Sequence, residues 1–182
     1  MLTGVKVRLR PKRLGDAFND FSWARNPELA KLDGVTPTRL PFPEYVLALD
    51  EELAQPGQGR RFAIETLSGK HIGNCMYYDV DTGLGLAELG ILIGIRAYWS
   101  KGYGADAVSL LLGHLFTTLP LRRVLLHTLE WNIRAQKCFE RCGFIPRGHT
   151  LRAGNRFLVM HILHRDWQDR QAGEKKELLE TR

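Results

Sequence analysis

The spacing of apolar residues along the chain predicts alternating strands and helices. Val5, Val7 and Leu9 alternate with charged residues, as in a strand with one buried face. Helical spacing follows, and a stretch with three prolines at 34–43 predicts a loop. The first half therefore reads as a strand, helices and an antiparallel meander, over residues 5–11, 17–32, 44–54, 61–67, 71–80 and 84–95.

The second half begins with a glycine-bearing turn, Ser100-Lys101-Gly102-Tyr103-Gly104, that opens a helix directly. The helix has an apolar stripe and ends at Pro120. A right-handed crossover then makes the fifth predicted strand parallel to the fourth. The remaining elements are this strand at 123–129, a helix that Asn132 caps and Gly143 ends, and a hairpin at 144–151 and 155–164.

The order β, α, α, three β, α, β, α, two β predicts a single α/β (mixed α+β) domain over residues 1–167. A mixed sheet carries helices on both faces, and the carboxyl ends of its parallel pair are where such sheets place ligands. The last residues, 168–182, are mostly charged and predict a solvated helix or disorder.

The turn after the fourth predicted strand is a candidate phosphate site, because a helix N-terminus presents free amides and a positive dipole end. A glycine pair alone is weak evidence, since a tight connection also needs glycine. The spacing excludes a P-loop and lacks the third glycine of a dinucleotide fold. On the strand before the turn, Glu88 is a carboxylate among apolar residues and glycines.

Composition narrows the function classes. The net charge of +6 is spread along the chain without a basic helix or aromatic platform, which makes nucleic acid an unlikely partner. Three cysteines without a Cys-x-x-Cys pair, and no signal peptide or membrane span, favour a reduced, cytoplasmic protein. Cys138 and Cys142 read as small core residues. His161 and His164 fall on opposite faces of a predicted strand, so we expect no metal site.

Three stretches together resemble the GNAT superfamily of acyl-CoA N-acyltransferases. They are Glu-Leu-Gly-Ile from Glu88, the run from Ile93 through the glycine turn to Ala107, and Asn-Ile-Arg-Ala-Gln-Lys-Cys-Phe-Glu-Arg-Cys-Gly-Phe from Asn132. The chain looks most like the branch of ribosomal-protein N-terminal acetyltransferases and spermidine acetyltransferases, over residues 4 to 167. The resemblance implies a GNAT-like fold, a mostly antiparallel sheet splayed between strands four and five, and acetyl-CoA as co-substrate.

The resemblance also implies which residues bind the cofactor. Backbone groups of Ile93, Gly94 and Ile95 would pair with the pantetheine arm. Amides of the turn would hold the pyrophosphate, namely those of Ser100, Lys101, Gly102, Tyr103, Gly104 and Ala105. Asn132 matches an asparagine that contacts the cofactor, and its alternative role is a simple helix cap. Lys101, Arg134 and Lys137 are candidates for reaching the adenosine phosphates.

The expected activity is transfer of acetyl from acetyl-CoA to a primary amine by direct attack in a ternary complex, since no cysteine sits in a nucleophile context. An ammonium must lose a proton first, and Glu88 is the first candidate base, with His127 and Glu130 as runners-up. Phe139 stands where many members have a tyrosine acid, so a catalytically weak or inactive CoA-binding module is the alternative.

The sequence does not determine the identity of the acceptor. A peptide α-amine, a polyamine and another small amine are all compatible with it. The net positive charge argues mildly against a polycation. The loop at 34–43 and the hairpin near 152–156 are expected to wall the acceptor site, and a homodimer is plausible for this family.

Overall fold

The computed structural model describes residues 1–55, 57 and 59–180. Its strands are β1 (Leu2–Thr3), β2 (Val7–Pro11), β3 (Arg60–Thr66), β4 (His71–Asp81), β5 (Leu86–Ile93), β6 (Arg123–Leu129), β7 (Ile145–Arg152) and β8 (Asn155–Leu163). Its helices are α1 (Ala17–Ala24), α2 (Pro27–Asp33), α3 (Phe42–Ala54), α4 (Tyr103–Thr118), α5 (Ile133–Arg141) and α6 (His164–Glu180). Short 3-10 turns precede α1, at Leu14–Asp16, and follow β5, at Arg96–Tyr98.

The strands form one sheet in the order β1-β2-β3-β4-β5-β6-β8-β7. Every neighbouring pair is antiparallel except β5 and β6, which run parallel. That parallel pairing ends at Glu88 on β5 and Leu125 on β6, beyond which the strands diverge. The fourth and fifth predicted strands are these two, so the predicted mixed sheet with a splay between them is confirmed.

One face of the sheet carries the main core. The helix α4 buries a full stripe against β2, β4 and β5, and that stripe comprises Ala107, Val108, Leu111, Leu112, Leu115 and Phe116. Ala87 and Leu89 of β5 belong to the same core. The opposite face of β5 carries Glu88, and α1 reaches the same side through Trp23, which packs against Gly94 directly after the strand. Helices therefore lie on both faces, as predicted.

Several predicted boundaries differ from the structure. Val5 is exposed and precedes β2, because its amide donates to the Asp106 carboxylate of α4 instead of a strand partner. The helix predicted at 44–54 begins at Phe42, inside the expected loop. The helix α6 runs across the predicted domain limit at residue 167, and that limit stays a prediction. Within the described residues, no helix is both long and apolar enough to cross a bilayer.

Candidate active site

The edge of β5 that faces β6 is open beyond Glu88. On its other edge β5 stays paired with β4, where the Gly94 amide donates to the Ile72 carbonyl at 2.9 Å. Backbone groups alternate along an antiparallel strand, so those of Ile91 and Ile93 point toward the gap. β5 thus presents an unpaired strand edge at the splay.

The three strand residues predicted to pair with a pantetheine arm are not equivalent. Ile93 lines the cavity at the splay, and its carbonyl accepts a 2.7 Å hydrogen bond from the Trp99 indole. The Gly94 amide is used within the sheet, and the Ile95 carbonyl accepts from the Tyr98 amide of the 3-10 turn. The Ile93 amide points toward the gap, and the pairing of all three residues with a pantetheine arm stays a prediction.

The turn after β5 exposes a row of backbone amides. Ser100 and Gly102 both have positive φ, 57° and 86°, which bends the chain sharply before α4 begins. Gly102 caps α4 without a side-chain hydrogen bond. The amides of Tyr103, Gly104 and Ala105 lie in the first turn of α4, where an α-helix provides them with no partner. Such a concave set of amides is suited to an anion.

A cavity of about 260 Å³ lies between β5, this turn, α2 and α5. Six of the ten predicted cofactor residues line it: Ile93, Ser100, Gly102, Gly104, Ala105 and Asn132. The side chain of Tyr103 packs instead on Tyr98, with ring centroids 4.9 Å apart, and Lys101 is exposed on the turn. The structure therefore brings most of the predicted cofactor set around one cavity.

The wall that α2 contributes was not predicted. Leu29, Leu32 and Asp33 line the cavity although they lie more than 50 residues before the turn. No local pattern marks them, because their position follows from packing between distant segments. Asp33 is exposed to the cavity, and desolvation by the surrounding protein raises its pKa.

The side of the cavity formed by α5 is cationic. Arg134, Lys137 and Arg141 all line it, of which the first two were predicted to reach phosphates. The Arg134 guanidinium stacks on the Trp99 ring, 3.7 Å from its centroid, and its burial lowers the pKa of Arg134. Since arginine stays charged in proteins, this stack holds a fixed cation beside the turn amides.

Asn132 lies where it could play either of its two predicted roles, the helix cap or the cofactor contact. Its side-chain oxygen accepts from the Ala135 amide at 3.3 Å, which caps α5, and the residue also lines the cavity. The cap is therefore present in the structure, and a cofactor contact stays a prediction.

Glu88 and His127, the predicted catalytic residues, are in direct contact. Glu88 is 5% exposed, and its Oε1 lies 2.7 Å from both the Tyr78 hydroxyl and His127 Nδ1. Arg152 reaches the other side of the imidazole, with Nη2 3.0 Å from His127 Nε2. Burial, followed by the hydrogen bond to Glu88, raises the pKa of Tyr78. The cluster lies where β5 and β6 part, and the cavity lining itself includes neither Glu88 nor His127.

The third predicted base, Glu130, is placed differently. Its carboxylate lies just after β6 and is paired with His149 at 3.2 Å and Arg156 at 3.4 Å. The Glu130 carboxylate is therefore engaged by Arg156 and by the His149 ring, which favours a structural role.

Phe139 packs into the core beside the cavity. It is buried, lines the cavity wall and stacks edge-on against Phe144 with centroids 6.0 Å apart. Cys138 also lines the cavity, whereas Cys142 is buried. The hydrogen bond with Cys138, followed by burial, raises the pKa of Cys142. In the described part of the chain, no three histidine, cysteine or carboxylate residues come together as a metal site would need.

The two segments predicted to wall the acceptor site meet each other. Asn155, at the tip of the β7–β8 hairpin, donates to the Gly34 carbonyl at 3.4 Å. Phe157 packs so closely on Gly34 that an added Cβ would lie 2.5 Å from its ring. The hairpin and the α2–α3 loop are thus in contact, and their role as walls of an acceptor site stays a prediction.

Comparison with known families and proteins places the chain among acetyltransferases. The acetyltransferase (GNAT) domain family model matches residues 6–145. An N-acetyltransferase of Bacillus licheniformis, p20, is 31% identical over 121 residues, which covers 65% of this chain and 67% of that protein. The spermidine N(1)-acetyltransferase of Vibrio cholerae is 30% identical over 92 residues, covering 50% of this chain and about half, 53%, of the relative.

Solved structures share the fold. The spermidine N-acetyltransferase from Vibrio cholerae in complex with CoA and spermine superposes with a TM-score of 0.80 at 23% identity, covering 89% of this chain and 98% of that one. The aminoglycoside acetyltransferase AAC(6')-Ib in complex with coenzyme A gives a TM-score of 0.75 at 21% identity, covering 90% and 98%.

Proposed function

Because the chain belongs to the GNAT family and is an acetyl-CoA-dependent N-acetyltransferase, we propose that it transfers the acetyl group directly to a primary amine in a ternary complex. The observation that carries this proposal is the joint placement of an open strand edge, an amide-lined turn and a buried Glu88–His127 pair around one splay.

The groups that line the cavity match two parts of acetyl-CoA, its amide-bearing pantetheine arm and its diphosphate. Its strand edge supplies the Ile93 amide to an extended amide-bearing chain, and the turn supplies amides for a diphosphate. Arg134, Lys137 and Arg141 add positive charge on the side that α5 forms. When bound, acetyl-CoA supplies an activated acyl group as a thioester, and these residues would hold and orient it.

Nε2 of His127 is the atom that we assign as the general base. Arginine can only donate, so His127 Nε2 must accept from Arg152, and the proton lies on Nδ1, which donates to Glu88. Glu88 therefore holds the ring in the tautomer that leaves Nε2 with a lone pair. That lone pair would take the ammonium proton, directly or through water, and Glu88 would stabilise the imidazolium that forms.

The remaining steps balance without a dedicated acid. The free amine attacks the thioester carbonyl and the C–N bond forms. The attacking nitrogen then loses its second proton to water, the C–S bond breaks, and the thiolate leaves. The reaction converts an ammonium and a thioester into an amide, a thiol and one proton. Phe139 has no proton to give. A thiolate needs little assistance, because thiol pKa values lie near 8.5, and water can protonate it after departure.

Thiol release from acetyl-CoA in the presence of an amine panel tests the proposal. His127→Ala should lower kcat by roughly 10²-fold, the usual contribution of a general base. Glu88→Gln should lower kcat while leaving acetyl-CoA affinity, measured by calorimetry, unchanged. Undiminished turnover in both variants would remove the pair from the mechanism.

Phe139→Tyr separates catalysis from the alternative of a CoA-binding module that has lost its acid. A mechanism that never used this position predicts no gain in rate from the new hydroxyl. A large gain, from a parent that binds acetyl-CoA tightly and turns over no acceptor, would support the module instead.

A further inference from the structure

The hairpin that covers the proposed base carries an arginine in an unusual position. Arg152 is the last residue of β7, directly before the hairpin turn, and its side chain is 51% exposed. It nevertheless reaches inward, with Nη2 3.0 Å from His127 Nε2 and Nη1 3.6 Å from Glu88 Oε1. A solvent-accessible cation is thus held over the atom that must accept a proton.

While this contact persists, His127 cannot act as the general base. The Nε2 lone pair is the only free acceptor on the His127 ring, since Nδ1 donates to Glu88. An incoming ammonium cannot share that lone pair with a guanidinium, because both groups only donate and both are positive. Transfer therefore requires Arg152 to leave His127.

An anion is the ligand that would draw it away. A carboxylate or phosphate binds the guanidinium fork through two charge-assisted hydrogen bonds, which would replace one bond to a neutral imidazole and a 3.6 Å contact with Glu88. Because Arg152 is half exposed and adjoins the turn, its side chain can turn toward such a group from the acceptor side.

The carboxylates nearby do not suit a polyamine. Glu88 accepts hydrogen bonds from Tyr78 and His127 and pairs with Arg152. Glu130 is paired with His149 and Arg156. Glu28 of α2 is paired with Arg96. Successive ammonium groups of a polyamine would each need an unpaired carboxylate. Each of these three already has an arginine partner, and Asp33, which lines the cavity without an ion pair to any described residue, could serve only one ammonium.

Resting on the function proposed above, we infer that the acceptor carries a carboxylate or phosphate close to its amine, and that Arg152 is the residue that recognises it. Binding of the anion releases His127 Nε2 at the moment when the amine arrives. Arg152 is thus a specificity-determining residue that also keeps the base covered when no acceptor is present.

Matched acceptors test the inference. Leucine and isopentylamine differ only by the carboxylate, and O-phosphoethanolamine and ethanolamine differ only by the phosphate, so the two pairs distinguish the anions. We expect the anionic member of one pair to have a kcat/KM at least about tenfold higher, the equivalent of 1.4 kcal/mol. Spermidine should be a poorer acceptor than the preferred anion.

Arg152→Ala should abolish that preference by raising KM for the anionic acceptor about tenfold. Turnover of its uncharged counterpart should rise, because the base is uncovered. Arg152→Lys should fall between the two. Arg156→Ala is the matched control, an arginine of the same hairpin that is 58% exposed and pairs with Glu130, and it should keep the parental ratio.

A parent enzyme that favours spermidine or the uncharged amines, with a ratio that Arg152→Ala does not alter, would overturn the inference. Calorimetry with N-acetylleucine and N-acetyl-O-phosphoethanolamine separates it from the proposed reaction. Binding that depends on Arg152 without turnover of any amine would leave the acceptor class standing and refute the transfer mechanism. No binding and no turnover would refute both.

Discussion

Contact between Trp23 and Gly94 joins α1 to the strand that lines the cavity. A Cβ built at Gly94 would lie 2.2 Å from the Trp23 ring, closer than any side chain tolerates. Trp23 also meets the His71 ring edge-on, with centroids 4.8 Å apart. The glycine is therefore required by packing, and the indole fixes where β5 ends.

Gly94→Ala should destabilise the fold by about 1–3 kcal/mol, as overpacking in a core usually does. The displaced indole should also shift the end of β5 and raise KM for acetyl-CoA. Urea unfolding and steady-state kinetics measure the two effects.

Gly90→Ala is the control on the same face of β5, where the nearest atom to an added Cβ is the flexible Met76 side chain at 3.3 Å. It should cost clearly less. Equal losses for the two substitutions would contradict the role given to Trp23.

At the scale of elements, one carboxylate ties the N-terminal segment to α4. The Asp106 oxygens accept from the amides of Val5, Lys6 and Val7 at 3.2, 2.7 and 2.9 Å. Three donors therefore converge on a single side chain in the first turn of α4, and the negative charge there also suits the helix dipole. This clamp brings Lys6 over the Tyr103 ring, 5.5 Å from its centroid, beside the phosphate turn.

Asp106→Asn should lower the free energy of unfolding by about 2 kcal/mol, because an amide NH₂ would replace one acceptor among donors. Asp81→Asn is the comparison, since Asp81 accepts one amide, that of Leu84 at 2.8 Å, in an exposed turn. Its loss should be smaller. Chemical denaturation measures both, and an Asp106 variant as stable as the parent would show that the clamp contributes nothing.

The elements nearest in sequence were the ones that sequence could predict. The strand, turn and helix around Gly102 follow from local spacing, and so does the cap at Asn132. The wall from α2, the displacement of Val5 and the position of Arg152 depend on partners that lie 25 to 101 residues away in the sequence. No local pattern encodes such contacts, which is why the acceptor side was the least predictable part.

At the scale of the whole molecule, a buried ionic cluster fastens α1 and the 3-10 turn before it to the sheet. Lys12 Nζ lies 2.6 Å from Asp20 of α1 and 2.9 Å from the Asn74 amide oxygen of β4. Arg10 pairs with Asp16 and with Glu65 of β3. Burial pushes the Asp16 pKa upward, but hydrogen bonds from Arg10 and the Arg13 amide outweigh it and hold that pKa well below its usual range.

His71 makes the stability of this cluster depend on pH. Its Nε2 lies 2.9 Å from the Gly73 carbonyl, and Lys12, Asp16, Asp20, Asn19 and Asn74 surround the ring. Burial, and then the charge of Lys12, lower the pKa of His71. As pH falls through 6.5, the ordinary value of histidine, the unfolded chain binds a proton that the folded protein resists. Stability is therefore retained above this pH and declines below it.

His71→Gln should reduce that decline, because glutamine keeps a donor for the Gly73 carbonyl and does not titrate. Urea unfolding from pH 7.5 to 5 gives the comparison, with the difference between parent and variant isolating His71 from His114 and His161, whose pKa values burial also lowers. Below this window the parent should lose further stability as Asp16 takes up a proton, since its lowered pKa contributes stability only while it is ionised. Parallel curves for parent and variant between pH 7.5 and 5 would assign the acid sensitivity to other groups and leave His71 a packing residue beneath Trp23.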